Sequence, residues 1–185
     1  VNDEDVEGLA DALCEVQKPK IRNSLMAAGL QRAQNFSWLK MAQTMSAALI
    51  NATLLPFNLR DINLIVFPDW SQPEESLGLE LEAVVRALAT HPDKTKMTLL
   101  VDTSNISEDD ANLALSGVAM NLFMEEDLDV SEGPEISLIG QLSEILISRL
   151  HGRIVLENEN REASAAGENI SSFELDRFMM QESNL

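Results

Sequence analysis

Apolar residues in the first third of the chain recur at spacings of three and four. In "DEDVEGLADALCEVQ", Val6, Leu9, Ala10, Leu13 and Val16 fall on one helical face, and the acids Asp3, Glu4 and Asp5 suit the helix N-terminus before them. Pro19 opens a second helix, with Ile21, Leu25, Ala28 and Arg32 sharing a face. A third begins in "QNFSWLKMAQTM". There Ser37 is placed to accept a hydrogen bond from an orphan first-turn N–H, and Phe36 and Met41 hold the spacing of a hydrophobic staple. Met41, Met45, Ala48 and Leu49 form its stripe, and Trp38 stands at its first position. Three short helices without a sheet bury little area, so the pattern predicts the edge of something larger.

From residue 62 the rhythm changes. "INLIVF" (62–67) is a short apolar run stopped by Pro68 and Asp69, as a buried parallel strand would be. A helix over 75–90 follows, with Leu77, Leu81, Val84, Val85 and Leu88 inside, and "HPDK" ends it. "MTLLVD" (97–102) is a second strand, and Ser107 caps a helix whose first turn is Glu108-Asp109-Asp110. "EISLIG" (135–140), a helix over 142–150 and "RIVLE" (153–157) complete the series. Strand–helix alternation of this kind builds right-handed βαβ units. The expected fold is therefore α/β: a Rossmann-like three-layer sandwich with a parallel sheet of about four strands, preceded by a group of helices. The expected organisation is a helical segment over 1–54, a small α/β domain over 55–158, and a polar tail over 159–185 in which "SSFELDRFMM" forms a short terminal helix.

Charge sharpens the division. Five bases face six acids up to residue 54, whereas eight face 25 beyond it, so −17 of the net −18 lies in the second part. Such a surface argues against nucleic acid and anionic lipid, whose phosphates need clustered Lys and Arg. The apolar share, 45%, is enough to build a core. No apolar run approaches a membrane span, and no basic-then-apolar segment opens the chain. Cys14 is the single cysteine, which excludes an intrachain disulfide and points to a reducing, cytoplasmic compartment. Its apolar helical setting assigns it to a core. The opening "VNDEDVEGLA" has no Met and reads as a cut inside a longer polypeptide.

Chemistry is sparse. Asp69 and Asp102 each end a predicted strand, at the carboxyl edge where α/β sheets bind ligands. With Trp70, Thr103, Ser104 and Asn105 they could line a polar crevice, and two carboxylates could hold Mg²⁺ or act as an acid–base pair. Against this, aspartates and serines at strand ends commonly serve turns and caps. Neither loop has a glycine-rich dinucleotide or Walker pattern. Around Asp127, Asp129 and Ser131 the spacing fails the calcium-loop rule, because Gly133 falls one place late and Leu138 stands where a bidentate acid belongs. His91 and His151 sit at helix ends and suit capping, so no metal site is expected. Met120, Met124, Met179 and Met180 are assigned to core gaps.

The first 54 residues resemble the C-terminal end of a GT-B-fold retaining glycosyltransferase of the family-four type. Leu9 to Leu13 match an "ALAEAL"-like helix that follows an acidic stretch. Arg22, Leu25, Ala28, Gly29, Arg32 and Ala33 match an "R..L..AG..RA" segment, and Phe36, Ser37 and Trp38 match a closing Phe-Ser-Trp helix. Leu39 and Lys40 depart from the acid that often follows the Trp. The resemblance implies a last helix that packs on another domain of the enzyme through Phe36, Trp38, Met41 and Met45. The remainder of a parent polypeptide would then be the partner, with homodimerisation around Trp38 in its absence. The family's donor-binding and acceptor-side motifs precede the matched region, so none of them falls on a residue of this chain. The resemblance thus implies a sugar-nucleotide donor for the parent, with no catalytic residue and no cofactor in this chain. The α/β part is then an appended, non-catalytic domain. The alternative is a stand-alone α/β binding or interaction domain with its ligand crevice at Asp69 and Asp102.

Overall fold

A computed structural model describes residues 6–34 and 37–175, and the chain divides into two compact units after Asn51. The acids at 3–5, Phe36, and the predicted terminal turn from residue 176 on, with Met179 and Met180, lie outside the described residues.

The first unit holds helices α1 (Val6–Gln17) and α2 (Pro19–Ala33) and most of α3 (Trp38–Leu54). Ser37 caps α3 as predicted, its Oγ accepting from the Lys40 N–H at 3.0 Å. No described residue of this unit is buried; Gly8, Ala12, Ile21 and Ile50 come nearest. The stripe expected on α1 is bare, from Val16 at 43% exposure to Val6 at 76%. Cys14 is likewise exposed, which corrects its assignment to a core: α1 buries no side chain among which a thiol could sit.

The second unit is the α/β body. Among the described residues its strands are β1 (Ile62–Val66), β2 (Met97–Asp102), β3 (Glu135–Ile139), β4 (Gly152–Ile154) and β5 (Ser172–Phe173). All pair in parallel, in the order β3-β2-β1-β4-β5. The helices are α4 (Glu74–Ala89), α5 (Glu108–Glu126), α6 (Glu144–Ile147) and α7 (Arg161–Ala166). This is a Rossmann-like three-layer fold, as the alternation predicted. Right-handed crossovers carry β1 through β3 in one direction, which puts α4 and α5 on one face; the return to β4 puts α6 and α7 on the other. Leu64, Val66, Leu99 and Val101 face α4 and α5, packing with Leu81, Val85, Leu88, Val118 and Leu122. The opposite parity, seen at Phe67, meets Gly167 just after α7.

Two differences from the sequence expectation share one origin. Helix α6 spans only four residues where nine were expected, and residues 161–173 supply α7 and β5 where a polar tail was expected. Short elements carry too few apolar positions to display a period. Their capping chemistry is nevertheless explicit: Ser143 accepts from the Leu146 N–H, and Asn160 from those of Glu162 and Ala163.

Polar groups at the opposite end of the sheet are paired. The side chain of buried Asn63 donates to the Arg60 and Arg149 carbonyls and accepts from the Arg60 N–H. His151 Nδ1 accepts from the Asn63 N–H at 3.0 Å while its own N–H donates to the Asn63 carbonyl. His151 therefore seats β4 against β1 instead of capping a helix. At Gly133, φ is 127° and a Cβ would stand 2.8 Å from the Lys94 carbonyl oxygen, so glycine is required. Gly152 is required for another reason, since the Phe173 ring lies on its Cα face and leaves no room for a methyl. Gly152→Ala should accordingly cost about 1–3 kcal/mol in urea unfolding, and Phe173→Ala in the same chain should remove most of that extra cost. Additive losses in the double variant would show that the ring is not the obstacle.

Candidate functional site

In an open parallel sheet, the place to look for a ligand is the carboxyl edge where the strand order reverses. Here that point lies between β1 and β4, and it is closed by the chain itself. The Asp69 N–H donates to the Asn158 carbonyl at 3.0 Å and the Asn160 N–H to the Phe67 carbonyl at 2.9 Å, with Pro68 and Glu159 forming an antiparallel bridge. Glu80 on α4 holds the same loop, accepting from the Glu157 and Asn158 N–H groups and from the Asn158 side chain. Sequence reasoning missed this clasp because "ENEN" (157–160) looks like the start of a polar tail. Asn160 two residues before Glu162 was the available signal, an N-cap ahead of an acidic first turn.

Beside the clasp, toward β2, the predicted crevice residues do converge. Asp69 is half-exposed and saturated by its own loop. Its Oδ1 accepts from the Ser71 hydroxyl at 2.7 Å, the Ser71 N–H at 3.2 Å and the Asn105 amide at 3.2 Å, and its Oδ2 from the Gln72 amide at 2.7 Å. These donors, Gln72 foremost and then Ser71, hold its carboxyl below the usual range. Asp102 is the opposite case, 2% exposed, and burial pushes its carboxyl up against the opposing pull of Ser104. Its Oδ2 accepts from the Ser104 hydroxyl at 2.6 Å and N–H at 3.2 Å, and its main-chain carbonyl accepts from the Trp70 indole N–H at 2.8 Å. Asn160 donates to the Ser104 Oγ at 3.2 Å, tying the α7 cap into the group. Thr103 does not join: its hydroxyl and N–H both turn to the Ile139 carbonyl.

The two aspartates therefore differ in kind. A saturated carboxylate with a lowered pKa is suited to holding a loop in place, whereas a buried carboxyl with a raised pKa can exchange a proton or take a further hydrogen bond. Elsewhere, Asp129 accepts from the Ser131 N–H at 2.8 Å and is lowered by it, a turn function. His91 Nδ1 accepts from the Asp93 N–H at 3.1 Å. Among the described residues no group of three or more His, Cys, Asp and Glu could hold a metal ion, and no helix is long and apolar enough to cross a membrane. Met120 and Met124 are corrected. They are 60% and 73% exposed on the outer face of α5, because the inner face is already filled by Ala111, Leu115, Val118 and Leu122.

Comparison of the chain with protein-family models, with curated proteins and with solved structures gives no match. The class of the second unit, a doubly wound parallel α/β domain, rests on the order and direction of its strands.

The two aspartates should respond to pH with opposite signs. A carboxyl raised by folding is more stable in the protonated state, so Asp102 destabilises the fold increasingly as pH rises above the unfolded value of about 4. Asp102→Asn should raise the unfolding midpoint at pH 7 and bring no gain near pH 4. A lowered carboxyl stabilises above the unfolded value and loses its contribution as pH falls through the folded one. Asp69→Asn should therefore lower the midpoint at pH 7, with the deficit fading in acid. Thermal melts of both variants across this range provide the check.

Proposed function

We propose that this chain is the C-terminal portion of a larger GT-B-type glycosyltransferase polypeptide, in which the α/β unit serves contact and packing while sugar transfer from a nucleotide donor is carried out upstream. The observation that supports this reading is the bareness of the helical unit. Trp38 is 84% exposed, Met41 and Met45 are 49% and 58%, and no neighbour within the unit covers them. A capped, regular helix that leaves a Trp and two Met in water is built to lie against another surface. The glycosyltransferase resemblance names that surface, an upstream domain of the same enzyme. In the absence of that domain the stripe is expected to pair with a second copy. The main-chain clasp at the switch point fits the non-catalytic role given to the α/β unit, since it fills the crevice that doubly wound enzymes leave open.

A second reading makes the α/β unit a binding module working through the crevice of Asp69, Trp70, Asp102, Ser104 and Asn105. Buried Asp102 favours it. It requires a nucleotide or Mg²⁺ to bind and Asp69→Asn and Asp102→Asn to abolish that binding. Calorimetry in which neither ligand registers would dismiss it.

Trp emission and sedimentation test the first reading. In a Trp70→Phe background, Trp38 of the diluted, monomeric chain should emit like an indole in water, and any dimer should shift that emission to the blue. Trp38→Ala should leave the unfolding free energy of the monomer within about 0.5 kcal/mol of the parent and abolish any dimer. Supplied with a sugar nucleotide, the chain alone should transfer no sugar. A blue-shifted Trp38 whose removal unfolds a stable monomer would overturn the proposal.

A further inference from the structure

The α4/α5 face carries a feature that the sheet does not use and that meets the crevice at Trp70 and Gln72. Helix α5 is apolar on two sides. Its inner side packs on the sheet, while Leu113, Gly117, Met120 and Met124 recur at spacings of three and four along its outer side, exposed at 74%, 60% and 73% for the three large residues. A helix apolar on opposite sides is normally covered on both. Phe123 and, from α4, Leu79 extend the bare surface at 51% and 65%.

Between the two helices this surface sinks into a groove of about 730 Å³. Buried Leu77, Leu81 and Val118 lie deepest in its lining, and small residues, Gly78 on α4 and Ala114 and Gly117 on α5, line it nearer the surface. A Cβ added at either glycine would meet nothing within 4 Å. Small residues in the lining let another backbone approach closely. From Asp110 to Asn121 the α5 wall runs about 16 Å, which three turns of a helix would fill. Glu74, Glu75, Glu82 and Asp110 stand along the walls, and no Lys, Arg or His among the described residues lines the groove. Glu82 is already paired with Arg86, and Asp110 accepts from Ser107; neither pairing brings a positive charge into the lining.

We propose that this groove receives a cationic amphipathic helix of a partner protein. Its apolar residues would lie over Gly78, Gly117, Leu113 and Met120, and its Lys and Arg would meet the carboxylates of the walls. Helix-in-groove recognition anchors apolar residues at spacings of three, four and seven, and flexible Met side chains adapt to them. The acidic walls select the charge of the occupant and disfavour acidic helices, nucleic acid and anionic lipid. The inference rests on the contact role proposed above for the α/β unit and names the partner's chemistry. It uses none of the residues of the Trp38 stripe, so either can fail alone.

The test is calorimetric titration of the full chain with a synthetic amphipathic helix of about 18 residues, built from Leu and Lys with Leu on one face. A peptide of the same composition, scrambled so that Leu follows no face, is the control. The amphipathic helix should bind, more weakly as salt rises, and the scrambled one at least about tenfold more weakly. Gly117→Leu puts a bulky side chain into the groove from a position with open space and should weaken binding by about tenfold or more while circular dichroism is unchanged. Met120→Gln with Met124→Gln, both on exposed sites, provides a second variant and should also weaken it. Trp38→Ala should leave binding untouched. Equal binding of both peptides would reveal general attraction to a chain of net charge −18 and overturn the proposal. Absence of binding would overturn it too, as would binding indifferent to the groove variants. Sedimentation that shows a dimer dispersed by the Met variants would assign the face to a second copy instead.

Discussion

Residues 63–68 and 97–103 are buried without a break, and that burial holds only if a helical layer covers each face of the sheet. Other features of the second unit follow from this requirement. The crossovers through α4 and α5 cover one face but leave the other bare, so the chain must return past β1 and lay its remaining helices opposite. Short as they are, α6, α7 and the loops around them complete the cover, with Phe67 resting on Gly167. The return also forces the loop after β4 to pass the loop after β1. Their main-chain bonding at 67–69 and 158–160 satisfies polar groups that would otherwise be left at the edge of the core.

The same constraint separates the polar residues at the carboxyl edge. Asp102 ends a strand buried on both sides and inherits the desolvation of its neighbours, whereas Asp69 lies beyond the clasp and collects donors from its own loop. Asp102, the last residue of β2, and Asp69, three residues past the end of β1, thus acquire opposite electrostatic character from the layers around them.

What could be read in the sequence depended on element length. Strands β1 and β2 and helices α4 and α5 each carry enough apolar positions to declare a period, and the parallel α/β class followed from their alternation. That Asp69, Asp102, Ser104 and Asn105 could share one sheet edge was legible for the same reason, but their meeting depends on β1 and β2 lying side by side, which the sequence left open. The clasp was not legible, because it joins residues about ninety apart through backbone groups that every residue possesses. Nor was the outer stripe of α5. Met120 and Met124 are apolar wherever they point, and only the filling of the inner face by Leu115, Val118 and Leu122 settles which side they take. In α1 the period was correctly read but the burial inferred from it for Cys14 was not, because a stripe shows which residues share a face and not what covers it.

The two margins of the sheet are unequal, and the inequality bears on how the protein tolerates crowding by its own copies. On one side the last strand is Ser172–Phe173, too short to offer a stranger a ladder of free N–H and C=O groups. On the other, β3 presents five residues, long enough to template the growth of a foreign strand. Its first residue is Glu135, held by Arg60 at 3.0 Å and by the Asn58 amide at 3.1 Å, and the loop before it brings Glu132 and Asp129 to the same end. A strand adding edge to edge would have to run alongside these carboxylates, and an identical strand would bring a second set. Glu135 and Glu132 are themselves ion-paired, with Arg60 and Lys94, so what an added strand would meet at that margin is a fixed polar cluster and not free charge.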